Sequence, residues 1–221
     1  MSTPSLPGAR TSDQAPEVVC IGETMALITP TDAALSDAHE ASLGLAGAES
    51  NVTAGLAAAG HRAVWASRLG DDPLGVRISS ELTRRGIELW VELDQDAPTG
   101  VMFKDPAAEG SSVYYYRRGS AASRMAPGML SAERLAGVRI VHTTGITPAL
   151  SPSTRDMVDR LFDDARAAGA LVSFDVNDRR ALWFSRPAEP FRRKFRPPSQ
   201  MNQVHVVTPA DSTLGAWYRR R

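Results

Sequence analysis

Four short apolar runs along the chain predict buried β-strands. They are rich in Val and Ile, as strands covered on both faces should be, and they span Val18–Ile28, Ala63–Ser67, Val138–Thr143 and Ala170–Asp175. Helix-like segments separate these runs. This alternation is typical of a parallel sheet with crossover helices, so we expect an α/β fold.

Two of the helices carry clear start and stop signals. One begins at Asp72, a suitable N-cap, and ends before Gly86; its apolar stripe is Leu74, Ile78 and Leu82. The other begins at Ser151 and ends before Gly169; its stripe is Met157, Val158, Leu161, Phe162 and Ala165. A third helix, made of small residues, is expected from about Ser50 to Ala59.

Two further stretches, about 38–45 and 99–117, interrupt the alternation and look like inserted short strands. Inserted strands of this kind can form a small sheet that projects as a lid over a ligand cleft. We therefore expect a second, smaller sheet. Residues 1–16 are rich in Ser, Thr, Pro and Gly and are expected to be a disordered lead-in.

Composition narrows the class of protein. The 221 residues are 43% hydrophobic and 23% charged, which is typical of a globular domain. No apolar run reaches the roughly 18 residues of a membrane helix, and no secretory signal is present. The single cysteine, Cys20, lies in a strand-like run, so we expect it in the core and the protein in a reducing cytoplasm. The four histidines show no ligand spacing, which disfavours a metal site.

The net charge of zero hides an asymmetry between the body and the end of the chain. Residues 184–221 hold eight Lys or Arg and two acidic residues, against 17 basic and 23 acidic residues before them. A basic tail can be an arm that binds nucleic acid. We favour an aberrant Pro/Arg-rich tail that binds no nucleic acid, because prolines interrupt it and no binding motif surrounds it.

Two candidate segments lie early in the chain. Small residues lead into the first helix at Gly47, where a backbone can approach a ligand closely, and Asn51 on its first turn can bond to hydroxyls. Such helix starts are also common packing devices. The second segment contains Asp71 and Asp72, which resemble a catalytic or metal-binding pair. We favour a structural turn there, because Asp72 is already assigned as a helix cap.

Two more candidate segments follow. Strand alternation places Tyr115 and Arg117 on one face, and an aromatic ring beside a guanidinium suits a small anionic, hydroxylated ligand. An ordinary surface strand explains the same pattern equally well. After the last strand come Asp175, Asn177 and Arg179, at the sheet edge where α/β proteins bind ligands such as a carboxylate or phosphate.

Taken in order, six segments resemble the PfkB (ribokinase-like) carbohydrate kinases, and within that family the 2-keto-3-deoxygluconate kinases. They are Val19–Met25, Ala46–Val52, Arg68–Gly75, Tyr115–Ala121, Thr144–Leu150 and Phe174–Arg179. The resemblance covers roughly residues 17–183. It implies a three-layer α/β/α fold of ribokinase type with a small β-sheet lid, and a possible homo-oligomer through that lid.

The resemblance also implies a reaction and a set of site residues. The reaction is ATP-dependent phosphorylation of a sugar acid, with Mg²⁺ screening the phosphates. The sugar acid would be bound by Gly47, Asn51, Tyr115, Arg117, Ile146 and Arg179, and the phosphates would lie near Asn177 and Arg179. Leu27 stands where the ribokinase branch has a sugar-binding Asp, which favours a sugar acid over a neutral sugar. Two departures, Ala46 for a glycine and Met102 for a tyrosine, bear on the choice of substrate.

Family members continue with a Gly-Ala-Gly-Asp segment, whose glycines form an anion hole and whose Asp deprotonates the sugar hydroxyl. This sequence has no such segment, and its only Gly-Asp pair is Gly70-Asp71. After Trp183 we expect no further strands or helices. We interpret the chain as a truncated kinase, without its catalytic Asp and inactive on its own. The alternative is a non-catalytic module that binds or senses a sugar acid.

Overall fold

The computed structural model describes residues 15–107, 110–175 and 177, together with a two-residue strand at 204–205. The elements in chain order are β1 (Val18–Ile21), β2 (Met25–Pro30), β3 (Ala41–Ala46), α1 (Ala48–Ala58), β4 (Ala63–Gly70), α2 (Pro73–Arg84), β5 (Glu88–Asp94), β6 (Val101–Ala107), β7 (Gly110–Tyr116), a 3₁₀ turn (Ala121–Arg124), β8 (Ile140–Thr144), a second 3₁₀ turn (Thr147–Ala149), α3 (Pro152–Ala167), β9 (Leu171–Asp175) and β10 (Val204–His205).

The strands form two sheets. The main sheet is parallel, with the strand order β10-β9-β8-β1-β4-β5. The smaller sheet, which we call the lid sheet, has the order β3-β2-β6-β7. Its outer pairs are antiparallel and its central pair, β2 with β6, is parallel. The prediction of a second, smaller sheet is confirmed.

Helices cover both faces of the main sheet, as a three-layer α/β/α fold requires. On one face, Trp65 of β4 packs with Ile78 and Leu82 of α2 and with part of α1. On the other face, the neighbouring Val64 packs with residues of α3 such as Leu161. Successive residues of one strand thus serve two separate cores, which explains why residues 63–66 in the first half of this strand are all apolar. None of the described helices is long and apolar enough to cross a membrane.

The predicted helix signals are confirmed. Asp72 caps α2 by accepting from the backbone N–H of Gly75 at 2.8 Å, and Ser151 forms a reciprocal capping box with Thr154. Both helices are followed by a glycine at positive φ, Gly86 and Gly169. The predicted stripe of α3 is buried throughout. In α2, Ile78 and Leu82 are buried, whereas Leu74 is half-buried.

The prediction of one strand over Val18–Ile28 is wrong. The run divides into β1 in the main sheet and β2 in the lid sheet. The break falls at Gly22, Glu23 and Thr24, where the chain passes from one sheet to the other. Both halves are apolar and extended, so the pattern of hydrophobic residues does not distinguish them.

The sequence pattern also missed two strands of the main sheet. One is β5, which pairs in parallel with β4 at one edge. The other is β10, which pairs with β9 through Val204 and Val172, so the expectation of no strand after Trp183 is wrong at this point. The rest of the predicted tail, and residues 1–14 of the predicted lead-in, lie outside the described residues.

Cys20 is fully buried in β1, as predicted. Burial raises the pKa of its thiol to about 12, because the thiolate would lose its hydration. The thiol is therefore neutral at physiological pH. Cys20 is a core residue and is not suited to be a nucleophile.

Candidate functional site

The first predicted segment forms the start of α1. Gly47 is the N-cap of this helix and has no side chain to cap it. A Cβ at position 47 would overlap the hydroxyl of Thr24 and lie 2.7 Å from the Glu23 backbone oxygen. A glycine is therefore required at this position because the chain leaving β1 passes close to it. The sequence had instead suggested the close approach of a ligand as the reason. Asn51 lies one turn further along α1 and is exposed to solvent.

A buried carboxylate, Glu49, connects α1 to the loop after β8. Its Oε1 accepts from Thr144 N at 3.1 Å, Thr144 Oγ1 at 2.8 Å and Thr147 Oγ1 at 2.8 Å. Ile146, one of the predicted substrate-binding residues, lies between these two threonines and is half-buried. Glu49 therefore fixes the start of α1 relative to the segment that carries Ile146.

Burial is the largest influence on Glu49 and raises the pKa of its carboxyl above the ordinary value. The hydrogen bonds from Thr144 and Thr147 oppose this effect, because they stabilise the carboxylate. The net result is a carboxyl that takes up a proton more readily in the folded protein than in the unfolded chain.

The carboxyl ends of β8 and β9 lie next to each other in the sheet. The loop after β8 carries Ile146, and Asn177 follows β9. Asn177 has a φ of 37°, and its backbone N–H donates to Asp175 Oδ1 at 2.9 Å. The segments that carry Ile146 and Asn177 thus begin at adjacent strand ends of the main sheet. Arg179, assigned to both substrate and phosphate, lies outside the described residues.

One row of residues crosses the lid sheet. Leu27 of β2 is in register with Met102 of β6, which in turn is in register with Tyr115 of β7. Residues in register share a face of the sheet, so this row is an apolar and aromatic strip. Tyr115 is half exposed. At the two positions where relatives can carry a polar group, an Asp in the ribokinase branch and a Tyr in some relatives, this row has Leu27 and Met102.

Arg117 lies two residues beyond Tyr115, on the same face by strand alternation. Its guanidinium carbon is 5.7 Å from the centre of the Tyr115 ring, within the range of a cation–π contact. Only 10% of the Arg117 side chain is exposed, and its Nη2 lies 2.5 Å from Oε2 of Glu23. The predicted pairing of Tyr115 with a guanidinium is therefore present, and that guanidinium forms a buried ion pair.

Sequence reasoning missed Glu23 and Glu49, the two buried carboxylates that hold this site together. Each side chain exposes 3% or less. A signal was available, because each is a charged residue inside a run of apolar or small residues, a position where charge is costly unless it is paired. Their partners are 94 to 98 residues away in sequence, and no local pattern identifies them.

The structural interpretation of Asp72 is confirmed. In addition to capping α2, its Oδ2 accepts from Thr99 N at 2.7 Å, which ties the start of α2 to the segment leading into β6. Asp71 is exposed. The pair is a turn and a helix cap, and the two carboxylates do not converge on a shared site.

The described residues do not form a complete site for the nucleotide and Mg²⁺ that the resemblance implies. Within the ranges 15–107, 110–175 and 177, no group of three or more His, Cys, Asp or Glu side chains could hold a metal ion. Asn177 is the one predicted phosphate-proximal residue that is described. The described residues thus supply one of the two expected phosphate contacts and no cluster of ligands for a metal ion.

Two curated sugar-acid kinases are similar to this chain in sequence. The chain is 34% identical over 206 residues to a 2-dehydro-3-deoxygluconokinase of Bacillus subtilis (strain 168), which covers 91% of this chain and 59% of that protein. It is 35% identical over 170 residues to a 2-dehydro-3-deoxygalactonokinase of Haloferax volcanii, covering 76% and 54%. The chain therefore spans about half the length of the curated relatives it matches.

This chain is also similar to a solved structure and matches a family model. The PfkB protein from Polaromonas sp. JS666 superposes with a TM-score of 0.72 at 38% identity, covering 76% of this chain and 58% of that one. The model of the pfkB family carbohydrate kinases matches residues 15–221, so it extends past residue 183, where the resemblance in the sequence ends. Because this model matches nearly the whole chain, the chain belongs to the pfkB family of carbohydrate kinases.

Proposed function

We propose that this chain binds a sugar acid of the 2-keto-3-deoxygluconate type between its lid sheet and the carboxyl ends of the main sheet. One observation carries the proposal: the guanidinium of Arg117, which directly follows β7, lies beside the ring of Tyr115 in that strand. A sugar acid offers a carbohydrate body for the ring and a carboxylate for the guanidinium. The kinases that act on such acids in Bacillus subtilis and Haloferax volcanii are similar to this chain over most of its length.

The row next to this pair supports a sugar acid over a neutral sugar. Leu27 and Met102 present no group that forms strong hydrogen bonds with sugar hydroxyls. Recognition would therefore depend more on the carboxylate than on the hydroxyl pattern. Gly47, Asn51, Ile146 and Arg179 complete the proposed set of substrate contacts.

The reaction proposed for the whole protein is phosphorylation of that sugar acid by ATP with Mg²⁺, the chemistry of the family. Asn177 and Arg179 are the proposed contacts to the phosphates. The proposed general base is the Asp of a Gly-Ala-Gly-Asp segment, and the 221 residues contain no such segment. We therefore propose that these residues bind the sugar acid without phosphorylating it. The proposed compartment is the cytoplasm, from the single unpaired cysteine.

Calorimetric titration of the 221-residue chain tests this proposal. We expect saturable binding of 2-keto-3-deoxygluconate, with fructose, a neutral ketose, binding at least tenfold more weakly. A coupled assay with ATP and Mg²⁺ should show no phosphorylated product from the same preparation. Equal affinity for the two sugars would contradict a site selective for acids, and sustained product formation would contradict the assignment of binding without phosphoryl transfer.

A further inference from the structure

The carboxylate of Glu23 lies where the connections between the two sheets meet. Glu23 itself is in the segment that leaves β1 for β2. Its Oε1 accepts from the hydroxyl of Ser120, in the segment that returns from β7, at 2.7 Å. A Cβ at Gly100, the residue immediately before β6, would lie 2.8 Å from the same oxygen. One side chain thus contacts two further connections between the main sheet and the lid sheet.

The second oxygen of this carboxylate holds Arg117. The Arg117 Nη2 lies 2.5 Å from Glu23 Oε2, and the two side chains expose 10% and 1%. The contact is an ion pair by distance without the alignment of a hydrogen bond. A guanidinium has five N–H donors in a rigid plane, so an acid that fixes one corner also fixes the direction of the others. Among the described residues, the buried Nε of Arg117 has no hydrogen-bond partner.

We propose that Glu23 is a positioning residue, which orients the guanidinium of Arg117 for the carboxylate of the sugar acid and couples that orientation to the lid sheet. This inference rests on the proposed function, since it names how one contact of that site is held. An unanchored arginine side chain has many rotamers, and ordering it on binding costs affinity. The ion pair supplies that order before the ligand arrives.

The opposite expectation follows if Glu23 has only an electrostatic effect on the ligand. Glu23 cancels the charge of Arg117, so its removal would then leave a free positive charge and strengthen the binding of an acid. Under the positioning role, its removal weakens the binding of an acid, because the guanidinium loses its fixed direction. The two roles therefore predict changes of opposite sign in one measurement.

The variant Glu23→Gln keeps the size of the side chain and an oxygen for Ser120, but removes the charge. We expect its affinity for 2-keto-3-deoxygluconate to fall on the order of 10- to 100-fold, with its affinity for fructose changed less than about twofold. Glu23→Asp keeps the charge and retracts the carboxylate by one methylene, and we expect a loss in the same direction. The control is Asp164→Asn, which removes an ion pair with Arg160 on α3 and should change neither affinity.

A double-mutant cycle separates positioning from a general structural role. In an Arg117→Met background there is no guanidinium to orient, so Glu23→Gln should have no further effect on binding of the acid. If Glu23→Gln lowers affinity equally in both backgrounds, or if both Glu23 variants bind the acid as well as or better than the wild type, the proposal is overturned.

A second readout needs no ligand and distinguishes this inference from the proposed function. The Nε–H of Arg117 is buried, so its NMR signal should exchange slowly with water in the wild type and at least tenfold faster in Glu23→Gln. If the wild type fails to bind the sugar acid, the proposed function fails. Even then, faster exchange supports the orienting role of Glu23, and unchanged exchange overturns it.

Discussion

Gly22 and Glu49 lie so close together that even a methyl group on Gly22 would overlap the Glu49 carboxylate. Gly22 directly follows β1, and Glu49 is in the first turn of α1. The absence of a side chain at position 22 thus allows a buried acid to reach the loop after β8. This contact packs three segments of the candidate site against one another.

The variant Gly22→Ala tests this packing. We expect it to lower the free energy of unfolding by about 1–3 kcal/mol, because the added methyl forces Glu49 out of its hydrogen bonds or displaces the backbone. Chemical denaturation followed by circular dichroism measures the change. The matched control is Gly55→Ala in the middle of α1, where a Cβ would meet nothing within 4 Å. That variant should gain about 0.5–1 kcal/mol, and an equal loss in both would contradict the contact.

The pKa of Glu49, raised by burial, predicts a pH dependence of stability. Above the ordinary value of 4.5, the carboxyl of the unfolded chain ionises while that of the folded protein retains its proton. The folded state then binds more protons than the unfolded chain, so the free energy of unfolding falls as the pH rises through that window. Glu49→Gln lacks this titration.

We therefore expect the stability of the wild type relative to Glu49→Gln to be greatest below pH 4.5 and to decline as the pH rises above that value. Thermal denaturation of both proteins at several pH values measures this difference. A difference that stays constant with pH, or one that grows as the pH rises, would show that the folded pKa of Glu49 is not raised.

The two aspartates before α2 should differ in their effect on stability. Asp72→Ala removes the N-cap of the helix and the contact with Thr99, and we expect a loss of about 2 kcal/mol. Asp71→Ala removes an exposed side chain, and its effect should stay within about 0.5 kcal/mol. Urea denaturation of the two variants makes the comparison. A larger effect from Asp71 would mean that the roles are assigned the wrong way round.

The two faces of β7 predict opposite results for neighbouring tyrosines. Tyr115 shares its face with Arg117, whereas Tyr116 lies on the other face and packs edge-on against Phe103 at 5.5 Å between ring centres. We expect Tyr115→Ala to weaken binding of 2-keto-3-deoxygluconate about 3- to 10-fold. Tyr116→Ala, which removes an equally large and more exposed ring, should leave affinity within about twofold. Calorimetry on both variants decides, and equal losses would rule out a face-specific contact.

Local signals predicted those parts of the fold that depend on local contacts. The cap at Ser151, the apolar stripe of α3 and Gly169 all act within one helix, so the sequence contains the whole argument for it. The division between β1 and β2 depends on contacts with strands that are distant in the sequence. Both strands are apolar, and only the partner strands across the two sheets separate them. Within this run, only Gly22, Glu23 and Thr24 depart from the apolar pattern, and the boundary falls at these three residues.

The types of residue in the candidate site could be predicted from the sequence, whereas the buried ion pair and hydrogen bonds that position them could not. The pairing of Tyr115 with Arg117 follows from strand alternation, which is local. The ion pair of Arg117 with Glu23 joins residues 94 positions apart, and the hydrogen bonds of Glu49 span similar distances in sequence. Such contacts are set by the path of the chain through both sheets, so they become visible only in the folded structure.

A crystal structure of the 221-residue chain with bound 2-keto-3-deoxygluconate tests the central claim most directly. The deciding quantity is the distance from the ligand carboxylate to the guanidinium of Arg117. We expect at least one carboxylate oxygen within hydrogen-bonding distance of Arg117, about 2.7–2.9 Å, with the sugar beside Tyr115 and the Glu23 ion pair intact. A carboxylate bound elsewhere, with Arg117 still paired only to Glu23, would contradict the assignment of this cleft to a sugar acid.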